Sequence, residues 1–598
     1  MTNWLKRAAA DSGSPIPSGA AGATPASRAF RALPAIVFLF SLLLVYGALI
    51  PAMHDIGGWD EAAHVNSGRL IVEQGGMPLL ADSPLTTCLY GLAYLLFRGS
   101  IFWLMYSVWF GRFISFSLLW LSVFLLGRRL RRYAHPLVFA GLFLVAPFMI
   151  DLLIFPSDPL FAGCAALALW QFLGFVETRK ARQLAWSSLF AGMAVLARPE
   201  GVVLSLVFLG LSAAVGWHAK SMRTSLPAAV LPLLVLVGGY VVTRGLLTGD
   251  YDTGLAGRAY ANFETGHALV YQGPGQMDHE VETHLEAARV YGTAEENGNS
   301  VLRAISRRPD IYLQRLVAAA KAAPQVVLRA YGIRFGVVLF LLALRGMIEL
   351  FRQRDRLLLG VLVAWMAPVA TGLALTVLRP GHMLLPFYIL LALAAVGVSA
   401  FPDDMRRNPS RVAWIGVLLG FGLYGVLDSK LAITYGVGVS LMTLVLVWLA
   451  IPRIRDPQAL HRTALLLLFC GGLIIHGSFP SPVVRSPGSE PLEQSLAYLT
   501  EHYPRGEPLA SGWPGIAWAA RMTYIGLVDD DVPIRSSPRE FLVWMADQGV
   551  RAVYVDRSLF ADNPAVWSLI SAELDDGLET VFVTDGGDIQ IAEIRIEP

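Results

Sequence analysis

The chain has 598 residues, 55% of them hydrophobic and only 15% charged, with a mean hydropathy of +0.54. Lipid must solvate much of it, which excludes an ordinary soluble multidomain protein. A net charge of +2 with no concentrated basic surface argues against a nucleic-acid partner, and the three cysteines, Cys88, Cys164 and Cys470, lie in apolar surroundings without metal-ligand spacing.

Residues 1–32 read as a flexible cytoplasmic tail, rich in Ala, Ser, Gly and Pro, with Lys6, Arg7, Arg28 and Arg31 ahead of a first span at 33–52. The first outer loop, 53–100, opens with Gly57, Gly58 and Trp59, followed by Asp60, Glu61 and, three residues on, His64. An acid pair therefore sits at the membrane surface. Residues 85–97 are apolar but too few for an upright crossing, and predict an interfacial helix or a truncated, tilted span.

Further spans are expected at 101–127, 135–150, 159–177, 184–197, 201–217, 226–243, 329–348, 357–377, 383–400, 411–427, 433–451 and 463–479, thirteen with the first. Short connections rich in Lys and Arg, such as Arg128, Arg129, Arg131 and Arg132, fall on the cytoplasmic side, and the acid-bearing loops fall on the other. The long outer loop 244–326 has polar helical pieces broken at Gly273, Pro274 and Gly275. The membrane domain thus covers 33–479, and residues 480–598 form a small soluble α/β domain outside. Within that domain, helices are predicted at 492–501 and 541–548 and strands at 551–556, 579–584 and 588–596. It carries no phosphate loop or nucleophile elbow.

With this topology four charged patches gather on the outer face. Asp60, after a flexible Gly-Gly-Trp stretch, suits a general base that takes the proton from an acceptor hydroxyl; the plainer reading of Asp60 and Glu61 is a helix start. Glu61 can orient an acceptor or Arg198, and His64, one turn on, can touch substrate. Asp158 can bind the acceptor or share a divalent metal with Asp60, or simply cap the span that starts at Pro159. Arg198 and Arg379 suit a phosphate clamp at the lipid boundary, with Glu200 as a local partner of Arg198 and His382 as a further phosphate or sugar contact. In the long loop, Glu264, His267, Asp278, His279, Glu280, Glu282 and His284 lack a metal-binding spacing and read as a solvated segment able to gate or recognise an acceptor.

Across residues 33–479 this order of features resembles the GT-C superfamily of integral-membrane glycosyltransferases, in particular bacterial relatives of protein O-mannosyltransferases and aminoarabinose transferases. The resemblance rests on the acid pair in the first outer loop, the segment at Pro84 and Leu85, Asp158 before a span, the basic-Pro turn at Arg198 and Arg379 near a late Pro-containing span. It implies a GT-C-like, mainly α-helical polytopic protein of the bacterial cytoplasmic membrane. Its cavity would receive a polyprenyl-phosphate-linked sugar from the bilayer and a glycan, lipid or protein acceptor of the cell envelope. It also implies inversion at the anomeric carbon, with Asp60 as base and Arg379 on the phosphate. Where the family has a fuller Lys-Pro-Pro or Arg-Tyr pattern, this chain has Ser83-Pro84-Leu85 and Arg379-Pro380-Gly381-His382. The competing readings are a transporter or lipid flippase, for which no internal repeat speaks, and a noncatalytic envelope scaffold.

Overall fold

A computed structural model describes residues 59–134, 136–145, 157–271, 280–331, 333–375, 380–407, 489–512, 514–527, 537–556, 564–573, 577–585, 587 and 589–595. The expected tail, the spans at 33–52, 411–427, 433–451 and 463–479, and Arg379 lie outside these residues.

Two helices, α1 (Trp59–Gln74) and α2 (Pro84–Phe97), form a hairpin. Gly68 and Gly91 let their backbones touch: a Cβ on Gly68 would sit 2.5 Å from Gly91 N. Past the end of α1, Gly75 and Gly76 take positive φ (71° and 114°), and Pro84 opens α2 at its first position, where its missing N–H costs nothing. At 1.5 Å per residue α2 spans about 21 Å, short of a hydrocarbon layer of about 30 Å. It turns Leu92, Leu95 and Leu96 outward.

The membrane bundle follows with α3 (Trp103–Arg129), α4 (Pro136–Val145), α5 (Ser157–Thr178), α6 (Ala181–Ala197), α7 (Gly201–His218) and α8 (Met222–Thr248). Small residues make α5 the centre: with Gly163, Ala165, Ala166 and Ala168 along it, its apolar window is 89% buried, whereas that of α8 is 6% buried and forms the rim. A π-helical turn, Leu234–Gly238, interrupts α8 just after Pro232, which cannot donate to the helix ladder.

The long loop holds α9 (Leu255–Thr265), α10 (Glu280–Tyr291), α11 (Val301–Arg307) and α12 (Pro309–Tyr331). After it come α13 (Ile333–Arg352), the pair α14 (Arg356–Ala364) and α15 (Val369–Leu375), bent by 41°, and α16 (Leu384–Arg407). Helices α13 and α16 meet at two glycines, a Cβ on Gly346 lying 3.1 Å from Gly397 N.

Among the described residues four helices (α3, α5, α7 and α8) are long and apolar enough to cross a membrane, five if α14 and α15 make one broken span. The chain is a multi-pass membrane protein, but the described residues do not reach the expected thirteen spans. Four of those lie outside them, and others are short (α4, α6), carry charges (α13) or are bent.

The bundle has two distinct ends. One collects Arg129 with Glu177, and Arg132 and Tyr133 with the buried Asp355; the other collects Asp158, Arg198, Glu200 and His382.

The C-terminal part is a five-stranded mixed sheet in the order β2-β1-β3-β5-β4, built from β1 (Pro508–Ser511), β2 (Thr523–Gly526), β3 (Ala552–Asp556), β4 (Leu578–Val583) and β5 (Ile589–Ile594). Strand β1 pairs in parallel with β2 and β3, while β5 pairs antiparallel with β3 and β4. Helices α17 (Ser489–His502), α18 (Pro514–Ala519), α19 (Pro538–Asp547) and α20 (Pro564–Glu573) flank it, and Ser537 with Glu540 closes a capping box on α19. The sheet part docks on the first hairpin and the start of α3. Trp103 Nε1 donates to Ala519 O (3.2 Å), Arg521 Nη2 donates to Arg98 O (2.6 Å), and Val65, Tyr94 and Trp103 share one core with Ile516, Ala517 and Tyr503.

Candidate active site

Helices α3 and α5 run side by side in the same direction: a Cβ on Gly163 would lie 3.0 Å from Leu119 N, and further along Arg129 reaches Glu177 at 2.5 Å. Counting five residues back along each helix from the first contact sets Asp158 about level with Ile114. At 1.5 Å per residue that is about 3 Å along the axis from Arg112. Charges far apart in sequence thus share one depth.

On one side of that level stands the first turn of α1. Asp60 is its second residue, and its side chain lies outside the described residues. The carboxylate of Glu61, expected to orient an acceptor or Arg198, is held by Arg112 and Tyr90. Arg112 Nη2 donates to Oε2 at 2.7 Å, Arg112 Nε to Oε1 at 3.3 Å, and the Tyr90 hydroxyl to Oε1 at 2.8 Å. The Arg112 and Glu61 side chains are both fully buried. Gly111 makes room, since a Cβ there would lie 2.7 Å from the Tyr90 hydroxyl. His64 is half-buried, its Nδ1 3.4 Å from Thr87 Oγ1 on α2. Arg112 and Tyr90 are not among the site residues expected from sequence. A lone arginine inside the apolar run of α3 was the available signal, because an intramembrane charge demands a partner.

On the other side stands a chain of four. Asp158, in the first turn of α5, contacts Arg198; Arg198 donates to Glu200 through Nη2 (3.0 Å) and Nε (3.2 Å); and His382 Nε2 is 3.4 Å from Glu200 Oε1. The turn that makes this possible is tight: Arg198 is extended (φ −156°, ψ 147°), and a Cβ on Gly201 would lie 2.5 Å from Ala194 O. His382 is delivered by the 3₁₀ turn Pro380–Met383 at the head of α16. Burial pushes the Glu200 carboxyl up, but Arg198 and His382 outweigh it and hold the group well below the usual carboxylate range. Arg198 thus carries two acids on one guanidinium, Asp158 and Glu200, the second being the local partner expected from sequence. Asp158 lies against Arg198, and the Asp60 side chain, its expected partner on a divalent ion, is outside the described residues. Among the described residues no three His, Cys, Asp or Glu side chains gather as a metal site.

In the long loop His284 Nδ1 lies 3.3 Å from Glu264, and the Thr265 hydroxyl lies 3.2 Å from its Nε2. Asp278 and His279 are outside the described residues, and Glu280 and Glu282 are placed only as backbone of α10. His267 is buried, and burial with the nearby Arg315 charge lowers its pKa. Arg315 itself, unforeseen from sequence, is fully buried on α12. It donates to Phe263 O (2.8 Å) and Ala374 O (3.4 Å) at the last turns of α9 and α15, and burial pushes its pKa down to about 10. This staple ties the long loop to the segment that leads into the His382 turn.

This helical bundle, with charged loops gathered at one end and a small mixed sheet seated on the first loop, is a fold also seen in solved structures. The crystal structure of ArnT from Cupriavidus metallidurans bound to undecaprenyl phosphate is similar to this chain at a TM-score of 0.51 and 13% identity, over 94% of this chain and 98% of that one. The apo state of the same protein gives 0.52 and 14%, over 93% and 97%. At such identity the likeness is one of fold. No protein-family model matches the chain, and no curated protein matches it in sequence.

Proposed function

We propose that the protein is an inverting glycosyltransferase that moves a sugar from a polyprenyl-phosphate carrier to a hydroxyl of a cell-envelope acceptor at the outer face of the bacterial cytoplasmic membrane. The observation that carries this reading is the convergence of Glu61, Asp158, Arg198, Glu200 and His382 at one depth and one end of the bundle, next to the turn that holds Asp60. The fold shared with ArnT, solved with undecaprenyl phosphate, supports it.

In this mechanism Asp60 takes the acceptor hydroxyl proton as that oxygen attacks the sugar C1 from the face opposite the carrier. The C1–O bond to phosphate breaks, and polyprenyl phosphate leaves with the electron pair. Arg379 and His382 meet the phosphate, whose growing charge a guanidinium stabilises. Asp158 and His64 contact the acceptor, with Asp158 and Glu200 set in place by Arg198. The bilayer positions the carrier tail, so nucleotide-binding machinery is unnecessary. The sheet part and the long loop bound the acceptor side.

The test is reconstitution in vesicles with a panel of polyprenyl-phosphate sugars and mass analysis of envelope glycan, lipid and protein acceptors. Asp60→Asn should lose turnover by about 100-fold or more, within the range of general base catalysis, while donor binding holds. Undiminished turnover in that variant removes Asp60 from the mechanism. Because Arg198 already neutralises Asp158, EDTA is expected to leave transfer unchanged; loss restored by Mg²⁺ or Mn²⁺ would put a metal at the Asp60 and Asp158 level after all.

A further inference from the structure

We propose that Arg112 is a positioning residue for sugar transfer: through Glu61 it fixes the turn from which Asp60 emerges. The inference rests on the reading of Asp60 as general base and adds residues that touch neither donor nor acceptor.

Asp60 and Glu61 are neighbours in the first turn of α1, so holding one side chain sets the backbone of the other. Glu61 is held from two other helices at once. The Arg112 guanidinium on α3 reaches both of its oxygens (2.7 and 3.3 Å), and the Tyr90 hydroxyl on α2 reaches one of them (2.8 Å). Two contacts from a planar fork plus a third from a different direction leave the carboxylate no rotational freedom. Beyond its first turn α1 is held by Val65 against the sheet part, Gly68 against Gly91, His64 beside Thr87 and the Tyr94 hydroxyl on Glu73, contacts that by themselves leave the first turn free for small rotations about the helix axis. The triad stops that rotation at the end that carries Asp60.

A buried ion pair is a poor way to gain stability, since apolar residues of similar volume do as well or better. With Arg112 inside a span and both side chains fully buried, the pair is better explained by geometry than by folding energy. Reaction geometry is demanding: a misplacement of about 1 Å costs about 100-fold in rate.

The deciding variant is Glu61→Leu with Arg112→Met, which removes both charges together and deprives only the Tyr90 hydroxyl of its acceptor in the triad. It is expected to reach normal abundance, bind polyprenyl-phosphate sugar with a KM within about threefold of the parent, and lose about 100-fold in kcat. Arg112→Lys, keeping the charge but not the fork, should fall between parent and double variant. A double variant with parental kcat overturns the proposal, as does a kcat loss matched by an equal rise in donor KM, the pattern of a distorted binding site. Asp60→Asn, assayed alongside, tells the two ideas apart. If it turns over normally, the base assignment is what fails and the positioning role falls with it. If it is inactive while the double variant is unimpaired, only the positioning role fails.

Discussion

Arg198 shows how one side chain organises a site. Its guanidinium meets Asp158 from α5 and Glu200 from its own turn, and Glu200 in turn meets His382 from the head of α16. Because the folded-state pKa of Glu200 is depressed, the sign of its contribution is fixed. It is fully present above the ordinary carboxyl pKa of about 4.3 and is lost only as the pH falls through the lower folded value. Glu200→Gln should therefore lower the melting temperature by the same amount at pH 7 and pH 5, with the gap to the parent closing only in stronger acid. A gap that closes between pH 7 and pH 5 would mean that Glu200 titrates near neutrality. At this scale the sequence was legible where charges interrupt loops: Asp158, Arg198, Glu200 and His382 stood out by type and position. It was illegible where a partner is chosen by packing. Glu61 looked like a surface acid, and only the approach of α2 and α3 reveals Tyr90 and Arg112.

Helix α1 is held on two sides, by α2 and α3 through the triad and by α18 of the sheet part through Val65 and Ala517. The sheet part is thus a brace for the helix that bears the acids. Ala517→Glu would bury an unpaired charge in that contact, at a cost of several kcal/mol. It is expected to speed amide exchange across 61–74 by tenfold or more while leaving α5 unchanged; equal exchange in α1 would contradict the brace. Elements with strong periodicity were readable in advance. The helices at 492–501 and 541–548 and the strands at 551–556, 579–584 and 588–596 correspond to α17, α19, β3, β4 and β5, and residues 85–97 to α2. Strands β1 and β2 were missed because each has four residues, too few for alternation to declare itself, and they exist through parallel pairing across a helix. Helix α6 runs through a stretch read as a short crossing, and packs through Ser187 and Ser188 onto α5 and α8, a tertiary effect invisible to hydropathy.

For the whole molecule, composition alone assigned the solvent, and the distribution of arginines divided the bundle into two ends. What composition did not reveal is that the acid-bearing end is drawn inward: α16 begins at the level of the cluster, and Asp158 lies a full turn or more below the top of α3. Sugar transfer by the proposed mechanism requires that this end open to the outside, where a lipid-borne donor and a water-borne acceptor meet. The most direct measurement is side-specific labelling in sealed vesicles, with single cysteines in place of Trp59, Gly381 and Lys180 in a chain lacking Cys88, Cys164 and Cys470. A membrane-impermeant maleimide added outside right-side-out vesicles is expected to label positions 59 and 381, and position 180 only after permeabilisation. Labelling of 59 and 381 from opposite faces would leave no common pocket and would contradict the transfer mechanism.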